Sequence, residues 1–269
     1  MKTRAITGFF FIIVMLASFM FGQYPFGIFF LLLMLLCLRE FYGLIKQSGF
    51  ATNQWLGLFN GLFIYAVFAL MAWQTVLPYH QLLFLLPVTL SAVFIFELFK
   101  KTEAPFSNIA YTFLGLILTC VPFTFFHALA YIKGGFNFHY PLAFMLLLWA
   151  NDTGAYLVGM KFGSHKLFER HSPKKTWEGF IGGILIGAGV ALIINHYFND
   201  LQWCQWVTIA VLISCFGTLG DLVESMFKRS INVKDSGGIL PGHGGLLDRF
   251  DGLFIAAPIV YTYLYLITN

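Results

Sequence analysis

Residues 106–132 read FSNIAYTFLGLILTCVPFTFFHALAYI and contain no aspartate, glutamate, lysine or arginine. An uncharged, apolar run of about 18 residues or more predicts a helix long enough to cross a lipid bilayer. The hydrocarbon core has no water to satisfy backbone polar groups, so the helix must pair them internally. This segment therefore predicts a membrane-spanning helix, and similar runs recur along the chain.

The composition agrees with this segment. Of the 269 residues, 59% are apolar and 10% are charged, and the mean hydropathy is +0.78. A soluble domain carries about 25% charged residues. The low charge excludes a water-soluble enzyme, a disordered chain and a nucleic-acid-binding domain. We therefore expect an all-α polytopic membrane protein that has the bilayer, and no nucleic acid, as its partner.

The apolar runs predict about nine spans. We interpret the first as a retained span, because it lacks a clear signal-peptide cleavage site and opens a chain that stays apolar. The predicted spans lie near residues 5–22, 24–45, 55–77, 81–99, 106–132, 139–160, 177–198, 202–224 and 252–268.

The basic residues predict how these spans are oriented. With nine spans and a cytoplasmic N-terminus, 15 of the 16 lysines and arginines fall in cytoplasmic segments, and only Lys133 lies outside. Basic residues concentrate on the cytoplasmic side of membrane proteins. The sequence thus predicts an N-in, C-out topology.

The acidic residues divide the chain into two halves. Residues 1–138, with about five helices, contain only Glu40, Glu97 and Glu103, which we interpret as interfacial partners of neighbouring basic residues. The other nine acids follow residue 150, and several interrupt apolar runs. Ionisable groups inside a membrane are costly and usually functional. We therefore expect a polar catalytic cavity in residues 139–269, the half with about four helices.

Two acids of the eighth predicted span are typical of a metal site. Asp221 and Glu224 are three residues apart, so they share one helix face, where two like charges repel unless a cation lies between them. Oxygen ligands alone favour Mg²⁺. A structural pair between Glu224 and Lys228 is the alternative. The four cysteines form no CxxC motif and no cluster with histidine, so we expect neither zinc nor disulfides.

The segment from Ser225 to Asp251 is far more polar than a connecting loop requires. Its Pro-Gly-His-Gly-Gly run at 241–245 allows a sharp turn with exposed amides, which suits an anion. Asp248 and Asp251 follow at helical spacing. Carboxylates for a metal, basic residues for phosphates and a glycine turn together indicate phosphoryl or nucleotidyl transfer.

Two further motifs accompany this segment. Asn151-Asp152-Thr153 interrupts the sixth predicted span, as either a functional group or an interhelical hydrogen bond. The run Ser172-Pro-Lys-Lys-Thr-Trp-Glu-Gly179 precedes the seventh, where Thr176 can cap the helix. Lys174 and Lys175 would bind a phosphate headgroup there, although the bias towards cytoplasmic basic residues could also explain them.

These motifs resemble those of the phosphatidate cytidylyltransferase family, the CDP-diacylglycerol synthases. The family signature reads S-x-φ-K-R-x4-K-D-x-small-x2-φ-[PG]-x-H-G-G-φ-x-D-R-φ-D, where φ is apolar, and residues 225–251 meet every specified position. The runs beginning at Asn151 and Ser172 also look like family motifs. The Arg4-x-Ile-Thr-Gly8 opening is similar to that of bacterial members.

The resemblance implies that CTP and phosphatidate react to give CDP-diacylglycerol and pyrophosphate, with Mg²⁺ as cofactor and K⁺ as a candidate second ion. It also implies a bacterial inner-membrane protein, a site facing the cytoplasm and a candidate homodimer. The implied catalytic residues are Asp221, Asp248, Lys228, Arg229, Arg249, His243 and Asp152. The implied substrate-binding residues are Lys174, Lys175, Ser172, Lys234, Asp235, Gly244 and Gly245. The implied metal ligands are Asp221, Asp248, Glu224 and Asp251.

Two other classes of function remain open at this point. A related CTP-dependent lipid enzyme, such as a CDP-archaeol synthase or a lipid kinase, would use similar chemistry. An ion-coupled transporter is disfavoured, because transporters usually carry repeats with polar interruptions in both halves. In this chain the polar residues concentrate in one half.

The basic-residue pattern gives a direct test of topology. Alkaline phosphatase fused to the C-terminus should be active, because the predicted C-terminus is external. A fluorescent protein fused at the same place should be dark. The reverse pair of results would mean that the predicted number of spans is off by one.

Overall fold

The computed structural model describes residues 2–73, 79–233, 236–237 and 244–268, without the side chains of residues 2–7. This part of the chain is mostly helical. In the first half the helices are α1 (Lys2–Met20), α2 (Gln23–Gln47), α3 (Gln54–Ala72), α4 (Leu86–Leu98, preceded by the 3₁₀ segment Tyr79–Leu85), α5 (Pro105–Gly115) and α6 (Val121–Leu129). The second half contains α7 (His139–Phe162), β1 (Lys166–Phe168), β2 (Ser172–Thr176), α8 (Trp177–Tyr197), α9 (Trp203–Ser230) and α10 (Leu247–Thr268).

The expected all-α polytopic class is confirmed. Within the described ranges, eight helical segments are long and apolar enough to cross a membrane, and they correspond to the second to ninth predicted spans. The first predicted span corresponds to α1, whose apolar part, Gly8–Met20, is shorter than the others. Large apolar side chains such as Phe9 and Leu185 are exposed, as lipid contact requires.

The ends of three predicted spans differ from the structure. α9 continues to Ser230 and α10 begins at Leu247. The two ends of the polar segment 225–251 therefore lie on helices rather than in a loop. Hydropathy ends a span at the first charged residues, but charges that pair with each other can extend the helix. The third helix ends at Ala72; residues 74–78, where that span was predicted to end, lie outside the described residues.

The segment quoted first forms one span with an internal irregularity. α5 and α6 are joined by a π-helical turn at Leu116–Cys120, which ends two residues before Pro122. Proline has no N–H to donate to the preceding turn, so the regular hydrogen-bond ladder cannot pass through it. The π turn accommodates this break without ending the span.

Aromatic contacts join helices of the two predicted halves into one apolar core. The Phe41 ring on α2 stacks on Phe227 of α9 with ring centroids 4.8 Å apart. Phe123 on α6 lies 5.3 Å from Phe250 of α10. These contacts fix α9 and α10, which carry all four predicted metal ligands, against the first half.

Glycines bring α8 into close contact with α7 at Gly179 and Gly183. A Cβ on Gly179 would lie 2.8 Å from the Ala155 carbonyl oxygen, and one on Gly183 would lie 2.5 Å from Asn151 Oδ1. Gly187 instead faces α9, with ordinary contact at 3.5 Å to Ser214 Oγ. The close approach sets the position of the Asn151-Asp152 pair against α8.

Gly182 gives a matched test of this packing. A Cβ there would lie 2.5 Å from Val158 Cβ, whereas a Cβ on Gly189 of the same helix meets nothing within 4 Å. We expect Gly182→Ala to lower the melting temperature in detergent, because overpacking costs about 1–3 kcal/mol. Gly189→Ala should gain only the helix propensity of alanine, about 1 kcal/mol. Equal melting temperatures for the two variants would contradict the tight α7–α8 contact.

Candidate active site

A cavity of about 370 Å³ lies between α7, β2, α8 and α9. Residues from three separate sequence motifs line it: Asp152 from α7, Lys174 and Lys175 from β2, and Asp221 from α9. The fold therefore brings together basic and acidic residues that lie up to 69 positions apart in the sequence.

The central contact in this cavity is an ion pair. Lys175 Nζ lies 2.6 Å from Asp221 Oδ2, and both side chains are partly exposed. Asp152 lies close enough to interact electrostatically with both. Lys175 thus interacts with two carboxylates. The bias towards cytoplasmic basic residues does not by itself account for these contacts.

A short hairpin positions Lys174 and Lys175. Strands β1 and β2 pair antiparallel, with Lys166 opposite Thr176 and Phe168 opposite Ser172. Thr176 ends the hairpin and caps α8, because its Oγ1 accepts a hydrogen bond from the Gly179 N–H at 3.2 Å. The predicted cap is confirmed. Ser172, a predicted substrate ligand, opens β2 and is not part of the cavity lining.

A second cluster joins α9 to α10. Lys228 Nζ lies 2.6 Å from Glu224 Oε2 and 2.6 Å from Asp248 Oδ1. Asp248 Oδ2 accepts a hydrogen bond from the Ser236 backbone N–H at 3.3 Å. The structural pair between Glu224 and Lys228, left open as an alternative to a metal site, is thus present. Glu224 Oε1 is buried and has no hydrogen-bond partner among the described residues.

Asp251 links the two clusters. It interacts electrostatically with Asp221, Glu224 and Asp152, and its Oδ1 accepts a hydrogen bond from the Gly252 N–H at 2.7 Å. A Cβ on Gly220 would collide with the Asp251 carbonyl oxygen, so the backbones of α9 and α10 approach closely here. The result is a concentration of carboxylates along one side of α9.

The remaining predicted residues differ in where they lie. Arg229 and Arg249 are exposed. Gly244 has a φ of 81°, which favours glycine, and a Cβ there would contact Asp248 Oδ2 at 3.4 Å. The predicted site residues Lys234, Asp235 and His243 lie outside the described residues.

Gly245, another predicted substrate ligand, is buried against protein. A Cβ on it would collide with Ser236 Oγ and Glu40 Oε1. The absence of a side chain at Gly245 therefore makes room for the side chains of Ser236 and Glu40. Glu40 was not among the site residues predicted from the sequence.

Glu40 on α2 reaches this region from the first half of the chain. The expected interfacial pairing with Arg39 is wrong, because Glu40 is buried while Arg39 is exposed. Instead, Glu40 Oε2 accepts a hydrogen bond from the Leu247 N–H at 2.9 Å. The sequence did contain one indication of this role. Glu40 lies within an apolar run, where an acidic side chain is costly unless it has a partner.

The carboxylate oxygens of the site are ligands of the kind that hard cations prefer. Among the residues described, no three His, Cys, Asp or Glu side chains are grouped so as to hold a metal ion by themselves. Mg²⁺ is usually held by one or two carboxylates together with substrate phosphates and water. Carboxylates of this kind are provided by Asp221, Glu224, Asp248 and Asp251. The Oε1 of Glu224 is buried and has no hydrogen-bond partner among the described residues. Mg²⁺ stays a prediction, as does K⁺.

Comparison with known proteins identifies the family. Residues 2–267 match the cytidylyltransferase family. A phosphatidate cytidylyltransferase of Staphylococcus aureus (strain COL) is 40% identical over 190 residues, 70% of each chain. The Staphylococcus haemolyticus protein of the same name is 32% identical over 265 residues, 97% of each chain. This chain therefore belongs to the cytidylyltransferase family.

Proposed function

We propose that this membrane protein transfers the cytidylyl group of CTP to phosphatidate, giving CDP-diacylglycerol and pyrophosphate. The observation that carries the proposal is the cavity in which Lys175, Asp221 and Asp152 meet beside the Lys228 cluster. The family and the names of the relatives support the same reaction.

The reaction requires alignment of the two substrates and neutralisation of their charges rather than a strong base. The attacking group is a phosphate oxygen of phosphatidate, which is already anionic at neutral pH. It must approach the α-phosphorus of CTP in line with the departing pyrophosphate, although both reactants are polyanions. The protein must therefore offer cations close to fixed carboxylates.

Lys175 and Lys228 have the charge and the location for this task. Each is paired with carboxylates at 2.6 Å, so both ammonium groups are held at defined points of the site. A substrate phosphate would compete with those carboxylates for the lysines. Asp221 and Asp248, with Glu224 and Asp251 beside them, would hold Mg²⁺, which when bound neutralises phosphate charge as a Lewis acid.

We further propose that the site faces the cytoplasm from a bacterial inner membrane. Basic residues cluster in the segments predicted to be cytoplasmic, and CTP is a water-soluble substrate that must enter from that side. Phosphatidate would enter from the bilayer. The candidate homodimer is a further proposal, which the molecular mass of the detergent complex would test.

The reaction is tested with purified protein, phosphatidate and Mg²⁺, offered CTP, UTP or ATP in turn. We expect CDP-diacylglycerol and an equal amount of pyrophosphate with CTP, loss of activity with EDTA, and recovery with excess Mg²⁺. Phosphorylated lipid without pyrophosphate would instead indicate a lipid kinase. Full activity after exhaustive metal removal would overturn the Mg²⁺ proposal alone.

Lys175 provides the sharpest test of the cavity. Lys175→Gln should lower kcat/KM by about 10- to 100-fold, since a hydrogen bond to a charged group contributes about 1.5–3 kcal/mol. Lys166→Gln, at an exposed position on the neighbouring strand, is the control and should keep wild-type kinetics. Unchanged kinetics in Lys175→Gln would contradict a role for Lys175 in binding substrate phosphate.

Asp248→Asn tests the second cluster. The substitution keeps the shape of the side chain but removes its negative charge, so we expect kcat to fall by roughly 10²–10³, the loss of about 3–4 kcal/mol of transition-state stabilisation. Folding should survive, because Lys228 keeps Glu224 at 2.6 Å. More CTP should not restore the rate.

Asp200→Asn is the matched control, because the Asp200 carboxylate pairs with His139 and Asn137 instead of with the site. It should keep wild-type turnover. If Asp248→Asn retains more than about a third of wild-type kcat, a loss below roughly 1 kcal/mol, the role proposed for Asp248 is wrong.

A further inference from the structure

Glu40 is a buried carboxylate that connects the first half of the chain to the start of α10. It belongs to α2 and is 7% exposed. Its Oε2 accepts the hydrogen bond of the Leu247 N–H at 2.9 Å, across 207 positions of sequence. Leu247 is the first residue of α10.

The chain around Glu40 leaves room for its carboxylate. A Cβ on Gly237 would collide with Glu40 Oε1, and a Cβ on Gly245 would collide with Glu40 Oε1 and Ser236 Oγ. Gly237 and Gly245 both come from the segment that connects α9 to α10. These two described glycines therefore lie against the end of a side chain from α2.

The contact satisfies a requirement of α10 itself. The first N–H groups of a helix have no partner within the helix, and the helix dipole favours a negative group at that end. A buried N–H without a partner would be costly. Glu40 supplies the acceptor for this N–H from another helix.

The residue that follows Leu247 is Asp248. Its Oδ1 contacts Lys228 Nζ at 2.6 Å, and its Oδ2 accepts the Ser236 N–H. A shift in the first turn of α10 would move this carboxylate away from both partners.

We infer that Glu40 is a positioning residue for Asp248: it fixes the first turn of α10 from α2 and so holds the Asp248 carboxylate in register with Lys228. The catalytic part of this inference rests on the proposed function, because the role of Asp248 does. The structural part, the anchoring of the α10 start, stands on the geometry alone.

A purely structural role is the competing explanation, and Glu97 provides the control for it. Glu97 is also a buried acid of the first half, 2% exposed. Its Oε1 accepts hydrogen bonds from Asn108 Nδ2 at 2.7 Å and Thr102 Oγ1 at 2.9 Å, within the α4–α5 region. Glu97→Ala thus removes a buried carboxylate without touching α10.

Hydrogen exchange followed by mass spectrometry tests the anchoring without using activity. In Glu40→Ala, peptides that cover residues 247–250 should exchange about 10- to 100-fold faster than in the wild type, because the helix start loses its charged acceptor. Glu40→Gln keeps an amide oxygen as acceptor and should restore most of the protection. Glu97→Ala should leave these peptides unchanged.

Steady-state kinetics test the consequence for catalysis. Glu40→Ala should lower kcat by about 10- to 100-fold and raise the Mg²⁺ concentration for half-maximal rate, while KM for CTP changes little. Glu40→Gln should recover most of kcat, and Glu97→Ala should keep the wild-type Mg²⁺ dependence even if it melts at a lower temperature.

Three results would overturn the inference. The first is wild-type exchange at residues 247–250 in Glu40→Ala. The second is faster exchange with unchanged kcat and Mg²⁺ dependence. The third is misfolding of Glu40→Gln, which would show that Glu40 serves folding rather than positioning. If wild-type protein forms no CDP-diacylglycerol, the proposed function fails, and the exchange comparison alone decides whether Glu40 anchors α10.

Discussion

Lys228 contacts two carboxylates on different helices at once, and the arrangement of the site depends on this contact. Its ammonium lies 2.6 Å from both Glu224 on α9 and Asp248 on α10. Removing three charges from water is costly, and the cost is offset only when they are paired closely. The pairing lets both helices carry charged residues beyond the ends that hydropathy predicts, and it joins α9 to α10 at the polar end of the bundle.

The same principle organises the neighbouring cavity. Lys175 arrives from a hairpin outside the helical spans and pairs with Asp221, while Asp152 and Asp251 stand nearby. Carboxylates outnumber the lysines among the described residues of this region, which supports the proposed cation site. In the proposed reaction, a substrate phosphate would compete with these carboxylates for the lysines. An enzyme that joins two polyanions needs both kinds of group within reach of each other.

Close backbone contacts make this concentration of charge feasible. Gly183 allows α8 to approach Asn151 on α7, and Gly220 allows α9 to approach the Asp251 backbone on α10. In lipid, helices associate through such small residues, because no hydrophobic difference drives them together. Glu40 adds a polar anchor from α2 at the start of α10. The site is therefore supported by both halves of the chain, although nearly all of its charged groups come from the second.

The sequence by itself determined the class of fold and the segments that carry the chemistry. Transfer of an apolar run into lipid is a local property, so hydropathy located the spans, and Thr176 was identified as a helix cap from its immediate neighbours. Only the tertiary structure decided which charges meet. Lys175 pairs with Asp221, Lys228 bridges to Asp248, and Glu40 reaches Leu247, because helices distant in sequence pack side by side. Glu40 looked like an interfacial residue for this reason: its neighbours in sequence include an arginine, but its partner in space lies at the other end of the chain.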